Sequence, residues 1–175
     1  MKQKGKILII LFVVAILILG IAFYKSKSIN PVPTPQPTNT AEQTKTFQSK
    51  NLKFNIDLPS KFEIQEKFTS LLLKSDNGEI VVSRVATNFD NLDSYIKDLS
   101  QKNKIEIMDN ESKIINGLSS IVGRIKNVST QELKDKIYFI YSEGWIYSLS
   151  TSSQSLYSDL DQIAKSFRYN SPKEN

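Results

Sequence analysis

The run Lys104-Ile-Glu-Ile-Met-Asp-Asn-Glu-Ser-Lys-Ile-Ile-Asn116-Gly117-Leu118-Ser-Ser-Ile-Val-Gly-Arg-Ile-Lys126 decides the fold. Two stretches rich in Ile and Val flank Asn-Gly, the dipeptide whose residues tolerate positive φ and close two-residue hairpins. The pattern repeats on both sides. Downstream, Lys136–Tyr141 and Trp145–Ser150 surround Ser142-Glu143-Gly144. Upstream, Ser70–Lys74 and Glu79–Ala86 surround Asp76-Asn77-Gly78. Further back, Leu52, Phe54, Ile56 and Leu58 alternate with polar residues and stop at Pro59, and Phe62 and Ile64 continue the alternation.

Two helices interrupt the strands. Leu92, Tyr95, Ile96 and Leu99 fall at helical spacing behind a cap at Asp90 or Asn91. Leu156, Leu160, Ile163 and Phe167 do the same over Ser155–Ser166, with Ser153 or Ser155 as the expected cap. The predicted fold class is α+β: an antiparallel β-sheet built of hairpins and flanked by two helices, over residues 47–170, with 171–175 as a tail.

Ahead of this domain the chain changes character. Ile7–Tyr24 is an uncharged run of 18 residues. As a helix it spans about 27 Å, close to the roughly 30 Å hydrocarbon core of a bilayer. Lys2, Lys4 and Lys6 precede it and Lys25 and Lys27 follow. The heavier basic flank predicts a single-pass anchor with residues 1–6 cytoplasmic and the C-terminal domain extracytoplasmic. Gly20-Ile21-Ala22 also offers small residues for signal cleavage after Ala22, which would release a secreted ligand-binding domain. Residues 25–46 form a Pro/Thr-rich spacer with Pro31, Pro33, Pro35 and Pro37 at every second position. Such a polyproline strut reaches on the order of 60 Å.

The chain of 175 residues carries a net charge of +5. The whole excess lies in residues 1–46, which hold six lysines against one acid. The domain is neutral, its charges alternate in sign, and no nucleic-acid partner is expected. There is no His and no Cys. That excludes imidazole bases, thiol nucleophiles, disulfides and the usual zinc, haem and iron–sulfur ligation.

The remaining chemistry is sparse. Asp76-Asn77-Gly78-Glu79 starts like a calcium loop but lacks the further ligands, so it reads as a turn. Asp90 and Asp93 read as acids complementing a helix N-terminus. Glu63 with Glu66, and Asp109 with Glu111, read as solvated sheet positions rather than acid–base pairs. A Ser/Lys hydrolase stays formally open, without a motif. Two sequons, at Asn110 and Asn127, matter only on a eukaryotic secretory route. The densest feature is aromatic: Tyr138, Phe139, Tyr141, Trp145 and Tyr147 around one hairpin. Core packing explains such pairs. The sharper expectation is a groove for a peptide or glycan lined by Tyr138, Tyr141, Trp145 and Tyr147.

Three segments carry a family resemblance. Phe47–Pro59 (FQSKNLKFNIDLP) is a short aromatic strand ending in proline, Leu92–Leu99 is the middle helix, and Ile163–Tyr169 (IAKSFRY) closes the last helix on a Ser-Phe pair. Together they resemble the PsbP-like family over about residues 47–170. The resemblance implies an antiparallel sheet sandwiched by helices, and a binding or assembly role rather than catalysis, as in extrinsic photosystem II subunits and their relatives. The family's metal-binding histidines have no counterpart here, so no functional residue carries over. The expected protein is a membrane-anchored, extracytoplasmic, non-catalytic binding domain without cofactor, whose partner is an envelope protein or a peptide or glycan ligand.

Overall fold

A hairpin needs a turn that bends without splaying its strands, and two of the glycine turns supply one. Asn116-Gly117 (φ 48° and 85°) joins β6 (Ile105–Ile115) to β7 (Leu118–Asn127). Glu143-Gly144 (φ 48° and 76°) joins β8 (Leu133–Ser142) to β9 (Trp145–Thr151). Two successive positive φ values match the right-handed twist of the flanking strands. The computed structural model describes residues 43–170. The expected span Ile7–Tyr24, the cleavage site after Ala22, the proline strut and the tail 171–175 lie outside the described residues. Among the described residues no helix is long and apolar enough to cross a membrane.

The chain runs β1 (Thr44–Ser49), β2 (Phe54–Pro59), β3 (Glu63–Glu66), β4 (Ser70–Ser75), β5 (Gly78–Ala86), α1 (Leu92–Asn103), β6 to β9, a 3-10 turn (Gln154–Leu156), α2 (Tyr157–Ser166) and β10 (Arg168–Tyr169). All strand pairs are antiparallel, as the hairpins predict. The strands nevertheless form two sheets where one was expected. The larger has the order β3-β4-β5-β9-β8-β7-β6, the smaller β1-β2-β10. The chain changes sheets after Pro59: Ser60 N still donates to Gln43 O at 3.0 Å, and β3 then pairs with β4. Ile64 therefore pairs with Leu73 of β4 and not with the alternating run before it.

Two strands went unread in the sequence. β1 carries one large apolar residue, Phe47, and begins at Thr44, inside the expected spacer. β10 is two residues long and pairs with β2 through Arg168 and Tyr169. β1 owes its strand form to its partner: all six of its residues are in register with β2.

Each face of the large sheet has its own core. On one face lie Leu71, Leu73, Ile80, Val82, Tyr138, Ile140, Tyr147 and Leu149, covered by β2 and by Leu160, Ile163 and Ala164 of α2. The other face carries Ile107, Ile121, Ile137, Phe139 and Ile146 under α1, which contributes Leu92. Asn91 caps α1 as expected, its Oδ1 accepting from Ser94 N at 2.9 Å. α2 departs from expectation. Ser153 Oγ donates instead to Asn77 O at 2.6 Å, clipping the β4–β5 turn, and α2 starts behind the 3-10 turn without a side-chain cap. Asp159 in the first turn of α2 complements the dipole and pairs with Lys61 at 2.7 Å.

Candidate functional site

Strand parity divides the four aromatic residues expected to line one groove. In the β8–β9 register Ile140 faces Tyr147, Tyr138 faces Leu149, and Tyr141 faces Ile146. Tyr138 and Tyr147 thus point to the α2 side of the sheet and Tyr141 to the α1 side, because successive residues of a strand alternate. The groove does not form. Tyr147 is fully buried, donates its hydroxyl to Leu52 O at 2.8 Å, and packs its ring against Phe54 and Phe167. Tyr138 is also core, its hydroxyl donating to Asp161 Oδ1 at 2.7 Å. Burial first, and that carboxylate second, push its pKa up. Both rings hold the fold together.

Trp145 and Tyr141 are half-buried and reach the end of the sheet where the two hairpin tips lie. The Arg84 guanidinium stacks over the Trp145 ring, 4.2 Å from its centroid. Its Nη1 is buried without a hydrogen-bond acceptor among the described residues. Tyr141 lines an open cleft of about 580 Å³ with Asn116, Ser119, Ser142, Glu143, Arg168 and Tyr169. The cleft is built by the two positive-φ turns and closed by β10. Asn116 fixes the first tip: its Nδ2 donates to Phe167 O at 2.8 Å and to Lys165 O at 3.0 Å, tying the turn to the end of α2. Tyr169 carries a hydroxyl pushed up to about 12, by burial first and then by the Glu143 carboxylate beside it. Arg168 Nη2 is held by Asp57 at 3.2 Å. The Asp57 carboxyl is lowered first by the Thr46 hydroxyl at 2.7 Å and then by Arg168. Neutral hydroxyls, an amide, one carboxylate, one guanidinium and two rings give this cleft hydrogen-bonding and stacking capacity. That inventory suits recognition.

The remaining predicted positions are dispersed. Glu66 accepts from Ser49 Oγ at 2.5 Å, while Glu63 lies across from Lys74. Asp76 and Asn77 form the β4–β5 turn, and Asp90 and Asp93 flank the Asn91 cap of α1. Asp109 and Glu111 are exposed, as expected of solvated sheet positions, and both line a second open cleft with Asp161. Among the described residues no three His, Cys, Asp or Glu side chains are grouped to hold a metal ion. Among the serines, Ser83 bonds Ser148, Ser120 donates to Lys113 O and Ser166 donates to Ile163 O. Sequence reasoning missed Asn116, Glu143, Arg168 and Tyr169 as a set, since they come from three separate segments. The only local signal was the pair of glycine turns, read for their shape and not for the side chains they present.

No protein family and no curated protein matches the chain by sequence. Solved structures are similar. The solution structure of cyanobacterial PsbP from Synechocystis sp. PCC 6803 superimposes with a TM-score of 0.54 at 10% identity, covering 73% of this chain and 93% of that one. The Saccharomyces cerevisiae Ran-binding protein Mog1p gives a TM-score of 0.47 at 12% identity, covering 73% and 96%. Antiparallel sheets, two helices and the superposition on cyanobacterial PsbP agree with the resemblance carried by Phe47–Pro59 and Ile163–Tyr169: the C-terminal domain has a PsbP-like fold.

Proposed function

We propose that the chain is a single-pass membrane-anchored, non-catalytic binding or assembly protein. Its extracytoplasmic domain engages an envelope protein, or a peptide or glycan presented there, through the cleft between the hairpin tips. The observation that carries this reading is the placement of the cleft. β1 enters the domain at Thr44, across from Pro59, whereas its far end, Ser49, lies beside Phe54 and bonds Glu66. Phe54 pairs with Tyr169, a cleft residue. The described chain therefore begins at the end of β1 away from the cleft. The PsbP-like fold supports a binding role, and the basic flanks of Ile7–Tyr24 support the anchor and its orientation.

The test is site-specific photocrosslinking in the protein's own membrane. A photoreactive residue at Ser119, in the cleft, is expected to give one defined adduct, and the same residue at the exposed Lys102 of α1 none. Identical adduct patterns at the two sites, or no adduct at Ser119, overturn the reading. Intact-mass measurement of the membrane-extracted chain separates the anchored form from one cleaved after Ala22.

A further inference from the structure

The second cleft lies where β6, β7 and β8 meet the start of α2, and its volume is about 440 Å³. A β-bulge builds it. Met108 pairs with Arg124 and Glu111 with Val122, so Asp109 and Asn110 together oppose the single residue Gly123. Asp109 takes φ 51°, and Asn110 Nδ2 steadies the bulge by donating to Ile107 O at 3.2 Å. Gly123 is required there: a Cβ would lie 2.6 Å from Ile107 Cγ2 and 2.9 Å from Met108 O. The extra residue inverts the alternation of β6, turning Glu111 and Lys113 toward α2 and into the cleft.

Most charges in the cleft are matched internally. Asp161 Oδ1 binds Lys136 Nζ at 2.5 Å and accepts from Tyr138 at 2.7 Å. Glu111 pairs with Lys113 at 2.9 Å. Two charges are left over. Arg124, half-buried, and Asp109, exposed, make no side-chain hydrogen bond or ion pair among the described residues. Arg124 also lies directly across from Lys136, a like-charged neighbour that disfavours it. A guanidinium in that position is suited to a planar carboxylate. A polyanion is disfavoured, because Asp109, Glu111 and Asp161 share the cleft. A ligand bearing one carboxylate and one ammonium answers both unpaired groups.

We propose that this cleft binds a small zwitterion, a free amino acid or a short peptide with both ends unblocked, its carboxylate on Arg124 and its ammonium on Asp109. The site is separate from the hairpin-tip cleft and does not rest on the partner-binding reading. The test is calorimetric titration of the full-length chain in detergent with Ala-Ala, N-acetyl-Ala-Ala and Ala-Ala amide. Saturable binding of Ala-Ala is expected, with each blocked peptide at least tenfold weaker. Arg124→Gln is expected to remove the preference for Ala-Ala over its amide, and Asp109→Asn the preference over the N-acetyl form. Lys102→Gln on α1 changes neither. No saturable binding of Ala-Ala, equal binding of all three peptides, or wild-type preferences in both variants overturns the proposal. Where a variant fails to fold by circular dichroism, the wild-type comparison of the three peptides decides.

Discussion

Gly123 and Tyr169 show how single residues carry the domain's geometry in opposite ways, one by what it lacks and one by what it holds neutral. With Met108 O and the Ile107 methyl so close to the missing Cβ, Gly123→Ala forces backbone to move. The expected cost is about 1–3 kcal/mol, read as a lower urea midpoint at an unchanged slope. Tyr169 ionises near 12 in the folded chain, against about 10 when unfolded. Below pH 10 both states hold the proton and the contribution is fully present. Between pH 10 and 12 the folded state keeps it while the unfolded state loses it, so stability falls as pH rises. Tyr169→Phe is expected to flatten that part of the stability–pH curve relative to wild type, measured by urea unfolding from pH 9 to 12. An unchanged slope contradicts the burial assigned to this hydroxyl. Asn116→Ala removes the donor to two carbonyls at the end of α2. It is expected to cost roughly 1–3 kcal/mol and to alter crosslinking from Ser119.

At the scale of elements, β1 is the one whose importance exceeds its sequence signal. It gives β2 six paired residues. A chain beginning at Lys50 exposes the β2 edge and is expected to lose about 3 kcal/mol or more, at roughly 1 kcal/mol per ladder hydrogen bond; thermal unfolding of the two lengths checks this. The elements that announced themselves did so locally. Three turns containing glycine, the Asn91 cap and the spacing of Leu92, Ile96 and Leu99 are legible because each needs only its own neighbours in the chain. β1 and β10 escaped because a short edge strand with one or two large side chains has no period of its own. The second sheet escaped with them. The aromatic groove failed for a related reason: the β8–β9 cluster was legible, but parity assigns Tyr138 and Tyr147 to the core and Tyr141 to the other face. The hairpin-tip cleft was illegible because Asn116, Glu143 and Tyr169 meet only after the sheet has formed.

For the whole molecule, the net charge and the clefts lie in different parts of one chain. The net charge lies in residues 1–46 and the clefts lie in a neutral domain. If the basic flank sets orientation, replacing Lys2, Lys4 and Lys6 with Ser is expected to reduce the share of chains whose domain is digested by protease added outside intact cells. Stability of the isolated fold should not change, since none of these residues belongs to the domain. An unaltered digestion pattern would reassign the topology to another signal. The PsbP-like architecture suits such a division. The two faces of its large sheet are occupied by α1 and by α2 with β2, which leaves its ends and edges uncovered by these elements.

The bulge in β6 acts on that strand as a frameshift acts on a message. Before Asp109 the odd-numbered residues Ile105 and Ile107 address α1; after it the odd-numbered residues Glu111, Lys113 and Ile115 address α2. A strand with two reading frames tolerates a change of length only where the frames meet. Deleting Asn110 would set Asp109 alone across from Gly123 and leave Glu111 across from Val122, so the bulge would go while Glu111, Lys113 and Ile115 kept their faces. Loss of one residue within Glu111–Ile115, where pairing is one-to-one, has no bulge to absorb it and turns one side of the strand over. The position of a single-residue indel thus tests how this cleft is encoded.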